Sequence, residues 1–81
     1  MKARVFVTLK PSVFDPQGRT IQDALTGIGY PQVRDVRQGK YFELELDSGS
    51  PAEARATAED VARRVLANPV IESFRVEVEA Q

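Results

Sequence analysis

Over residues 3–10, Ala3, Val5, Val7 and Leu9 alternate with Arg4, Phe6, Thr8 and Lys10. A period of two sends these sets to opposite faces of a strand, and the first set is the buried one. After Pro11, Asp15-Pro16 reads as an N-cap followed by proline at the first helical position, where a missing N–H costs nothing. Ile21, Ala24, Leu25 and Ile28 then fall at helical spacing, which predicts a helix over 16–28. Gly29 stands where a left-handed residue ends it, and Pro31 prevents a restart.

"QVRDVRQGKYFELELD" predicts two strands around Gln38-Gly39, with Gly39 supplying the positive φ of a tight turn. In the second strand Phe42, Leu44 and Leu46 alternate with Tyr41, Glu43, Glu45 and Asp47. In the first, Val33 and Val36 cannot share a face of a regular strand, so a bulge or bend is expected near Asp35. Ser50, Pro51 and Glu53 form a capping box with a proline start. The helix that follows carries Ala54, Ala58, Val61, Ala62, Val65 and Leu66 as its apolar stripe and stops at Asn68-Pro69. Glu59 with Arg63 and Asp60 with Arg64 are expected i,i+4 ion pairs. A last strand sets Val70, Phe74, Val76 and Val78 against Ile71, Ser73, Arg75, Glu77 and Glu79.

The order β-α-β-β-α-β with right-handed crossovers gives an α+β, ferredoxin-like two-layer sandwich, one antiparallel sheet with both helices on one face. The whole chain, 1–81, reads as a single domain. On the open face Arg4, Thr8, Glu43, Glu45, Arg75 and Glu77 are polar as expected, but Phe6, Tyr41 and Ile71 share their parity. That apolar band marks the open face as a surface for self-association or partner docking. The bent hairpin around Gln38-Gly39 can also reach a second protomer.

At 81 residues the core is marginal. Without cysteine, no disulfide or thiolate metal site supports it, which leaves oligomerisation. The absence of histidine removes the commonest general base and transition-metal ligand. A net charge of −1 gives no reason to expect nucleic acid. No signal-peptide pattern and no membrane-length apolar run is present, so the expectation is a soluble, cytoplasmic protein.

Glu43 with Glu45, and Glu77 with Glu79, each project from one face of a strand as an acid–base pair does, but charged rims on an exposed sheet give the same pattern. The serines lack a histidine partner, and the loops hold too few carboxylates for an oxygen-ligated metal. "DPQG" and "VRQGKY" lack the glycine spacing of phosphate loops. Gly18 is out of place in a first helical turn, where glycine costs up to about 1 kcal/mol against alanine, unless another backbone passes close by.

"VTLKPSVFDPQG" (7–18), "VRDVRQGKYFELEL" (33–46) and "LANPVIESFRVEV" (66–78) together resemble the PurS family, the small subunit of phosphoribosylformylglycinamidine synthase. The resemblance implies a chain without catalytic residues that forms a homodimer or a dimer of dimers. It also implies docking to a large synthetase subunit and a glutaminase subunit, so that ammonia passes between their active sites. The complex then uses ATP and Mg, neither bound by this chain. Phe6, Tyr41 and Ile71 become candidate interface residues, with Lys10, Arg37 and Lys40 as candidate polar contacts and Gly18 as a docking or close-packing position. The alternative is a small-molecule-binding regulatory domain of ferredoxin-like form; an RNA-binding module lacks both the stacking motif and the basic excess.

Overall fold

A computed structural model describes residues 1–79. In chain order the elements are β1 (Lys2–Leu9), α1 (Pro16–Gly27), β2 (Gly39–Glu45), α2 (Pro51–Val61), a π-helical turn (Ala62–Leu66) and β3 (Glu72–Glu79). The strands form an antiparallel sheet of order β2-β1-β3. Its register sets Val5 opposite Phe42 and Val76, and Phe6 opposite Tyr41 and Arg75. Because opposed residues in an antiparallel pair share a face, the two expected faces are both formed.

The core lies between that sheet and α2. Ala54, Ala58 and Ala62, four residues apart on the helix, are fully buried, as are Ala3, Val5 and Val7 on β1. Alanine along the contact lets the helix sit close to the sheet, and Phe42, Leu44, Leu46, Leu66, Phe74 and Val78 fill the margins. Val5 and Val7 are the largest fully buried side chains, so the apolar area holding the fold is modest. Ser50 caps α2 by accepting from Glu53 N at 3.2 Å.

The antiparallel sheet with its two helices keeps the ferredoxin-like arrangement, with four corrections to its detail. First, residues 31–38 are irregular and form no strand, so the expected bulged strand near Asp35 and the Gln38-Gly39 hairpin are absent. Gly39 instead opens β2, and it is glycine there because a Cβ would collide with the Val7 carbonyl. Among the described residues the positive φ belongs to Gly29, at 104°, where it ends α1.

Second, α2 packs on β1 and β3, whereas α1 packs substantially on no strand. Both helices are therefore not laid on the sheet together. The α1 stripe stays open, Ile28 at 71% exposure, and Gly18 is its buried residue. Third, the π-helical turn, closed by Ala67 N donating to Ala62 O at 2.9 Å, delays the inward side by one position. Ala67 turns in and Val65, expected in the stripe, turns out to 76% exposure. Fourth, Asp60 pairs with Arg64 at 3.5 Å, but Glu59 pairs with Arg55 at 3.8 Å rather than with Arg63, whose guanidinium lies 6.0 Å from the centre of the Phe74 ring.

Candidate functional site

Residues 9–18 leave the sheet and start α1, and residues 36–38 return beside them. Asp15 joins the two passages. As N-cap it accepts from Gly18 N through Oδ1 at 2.9 Å, and through Oδ2 it accepts from Gln38 N at 2.7 Å. Asp15 as a residue is 5% exposed. The Gly18 amide, then that of Gln38, and the nearby Arg37 charge hold its pKa below the usual 3.8.

Gly18 is explained at the same place. A Cβ there would overlap the Val36 carbonyl and lie 2.9 Å from Asp15 Oδ2. The backbone that passes close to it is that of Val36 in the same chain. Arg37 Nη2 donates to the carbonyls of Lys10 and Val13, each at 2.9 Å, and more weakly to Leu9 at 3.4 Å. Gln38 Nε2 donates to Gln17 Oε1 at 2.9 Å. Lys10 N donates to Ile71 O at 2.8 Å, which extends the β1–β3 ladder by one rung. Lys40 Nζ reaches Glu72 at 3.5 Å and Leu66 O at 3.2 Å. Arg37, Lys40 and Gly18 are thus engaged within the chain.

The open face of the sheet is more ionic than the sequence pattern suggests. Phe6 and Tyr41 do meet, with ring centroids 5.1 Å apart, but the Arg75 guanidinium covers Phe6 at 4.2 Å. Tyr41 donates to Glu43 at 2.9 Å, Arg4 pairs with Glu79, and Arg75 pairs with Glu77 at 2.8 Å. Ile71 lies in the turn before β3, beyond the Phe6–Tyr41 pair, so the three do not form one apolar band.

Two open depressions lie here, one of about 330 Å³ beside Arg37 and one of about 200 Å³ beside Asp15. The larger is lined by Thr8, Leu9, Pro11, Asp35, Arg37 and Ser73. No three carboxylates converge in either, and no three metal-ligating side chains gather anywhere among the described residues. The large apolar side chains that the sequence pattern turned toward the core but that lie exposed are Ile21 on α1, Ile28 at its C-cap, Val65 after α2 and Val70 in the turn before β3. The uneven Val33–Val36 spacing was the one available signal that residues 31–38 would leave the sheet and α1 with it.

The family model described as PurS, phosphoribosylformylglycinamidine (FGAM) synthase, matches residues 2–80. The phosphoribosylformylglycinamidine synthase subunit PurS of Bacillus subtilis is 45% identical over 78 residues, 96% of this chain and 92% of that one. The Methanocaldococcus jannaschii PurS crystal structure, one of the subunits of formylglycinamide ribonucleotide amidotransferase, is 35% identical with a TM-score of 0.87, covering 96% of this chain and 94% of that one. A chain of the PurLQS structure from Thermotoga maritima is 29% identical with a TM-score of 0.86, covering 94% and 93%. Sequence and fold agree along nearly the whole length, and the chain belongs to the PurS family.

Proposed function

We propose that this chain is the non-catalytic assembly subunit of the ATP- and glutamine-dependent phosphoribosylformylglycinamidine synthase, working in the cytoplasm in de novo purine biosynthesis. It bridges a large synthetase subunit and a glutaminase subunit and supports passage of ammonia between them. ATP and Mg are used by the complex and not held by this chain. The observation that carries the reading is end-to-end likeness to PurS subunits, including a chain of a PurLQS structure. A sequence without histidine or cysteine, in which the buried carboxylate is committed to backbone amides, suits a structural part better than a catalytic one.

The subunit works as a homodimer or a dimer of dimers. Two observations support self-association: the uncovered stripe of α1, and β2, an edge strand with a free row of backbone groups and half-buried Phe42 and Leu44. Phe6, Tyr41 and Ile71 remain candidate contacts for the larger partners, as does Lys10, whose backbone pairs with Ile71. Size-exclusion chromatography with the synthetase, the glutaminase, glutamine and Mg-ADP tests the assembly. Co-elution of all three chains is expected, and elution of this chain alone under those conditions contradicts it.

A further inference from the structure

Residues 16–37 leave the body of the protein at Asp15 and return at Gln38, two positions 23 apart in sequence that meet at a single 2.7 Å hydrogen bond. Between them α1 runs outward, and residues 28–38 come back along it. The returning strand of chain is tied to the helix by Gln22 Nε2 donating to Arg34 O at 2.8 Å and by Tyr30 N donating to Leu25 O at 2.9 Å. This arm has almost no apolar packing on the sheet, and the molecule is drawn out to 49 × 28 × 13 Å.

We propose that Asp15, Gly18 and Arg37 form a clasp that closes the base of this arm and sets its direction, replacing the core packing the arm lacks. Each of the three has a separate task. Asp15 joins the first turn of α1 to Gln38, with one oxygen for each amide. Gly18 lets the Val36 carbonyl lie against the helix, closer than any side chain permits. Arg37 fastens the neck to the body by donating to carbonyls at the end of β1 and in the turn after it. A carboxylate held by two amides and a guanidinium shared among carbonyls are charge-assisted contacts, stronger than neutral ones. Elements that lack apolar packing open locally at lower free energy than the core. Within one subunit the arm is therefore its own cooperative unit, and the clasp is what keeps its base shut.

Amide hydrogen exchange on the full chain, read by peptide mass spectrometry, tests this. Wild type is compared with Asp15→Asn and Arg37→Ala under conditions where sedimentation gives all three the same oligomeric state. Asn puts an N–H₂ donor against one of the two amides. Removing exposed Arg37 leaves the core untouched. Exchange across 16–38 should accelerate by about tenfold or more in both variants, with peptides from 2–9, 51–66 and 72–79 within about twofold of wild type. Equal acceleration of arm and core in Arg37→Ala would make them one unit and overturn the proposal, as would unchanged exchange of the arm in that variant. Should Asp15→Asn fail to fold, Arg37→Ala decides alone.

Discussion

Asp15 shows how much one residue can be asked to do in a small chain. Its N-cap role follows from Asp-Pro ahead of a helical stripe, but its second bond, to Gln38, depends on a distant backbone that no local pattern specifies. With its folded pKa below 3.8, its contribution to holding the arm is complete above that value and disappears as pH falls through the lower, folded one. The charges around it are Arg37, and Lys40 and Glu72 at the edge of the same depression. NMR should show the Gly18 and Gln38 amide shifts titrating together with a midpoint below 3.8; separate midpoints, or one at or above 3.8, would contradict the shared carboxylate. Gly18 is the complementary case. Its oddity was visible in the sequence as a glycine in a first helical turn, while the identity of the approaching chain, Val36, was not. Gly18→Ala should loosen the arm while leaving the melting of the sheet and α2 unchanged, as read by exchange of the same peptides.

Among the elements, those with strong periodicity and a local stop signal were legible: β1, α1, β2, α2 and β3 all form within a few residues of expectation. They are specified by alternation against a face that must be buried, and by Ser50 and Asp15 caps. What was not legible is where each apolar stripe goes. The stripe of α1 has the spacing of a core helix, yet the clasp at its first turn directs it away from the sheet. The stripe of α2 is interrupted by a π-helical turn, whose extra residue brings Ala67 in and turns Val65 out, against the spacing that the apolar pattern implies. The alanine contact makes a sharp prediction. Ala58 is fully buried between α2 and the sheet, so Ala58→Leu should overpack it and cost about 1–3 kcal/mol in urea unfolding. Val65→Ala, on the exposed side of the turn, should change stability by less than about 0.5 kcal/mol. Equal effects would mean that the inward and outward sides are misassigned.

The whole molecule is extended for its length, with a radius of gyration of 15.9 Å where a compact domain of this size has roughly 12 Å. Such a shape leaves two apolar features unpaired, a helix without a sheet and a sheet edge without a neighbour, and a second copy offers each of them its counterpart. Ile21→Glu with Ile28→Glu should shift sedimentation equilibrium toward monomer at micromolar concentration, with α2 and the sheet still folded; an unshifted dimer would place self-association elsewhere. Composition had already pointed this way, since a chain with a marginal core and no cysteine has few other means of support. The function proposed for the assembled protein is tested most directly by omission. With synthetase, glutaminase, ATP, Mg and the formylglycinamide ribonucleotide substrate present, leaving out this chain should abolish synthesis from glutamine while synthesis from added ammonia continues. Undiminished glutamine-dependent synthesis in its absence would contradict the assembly role.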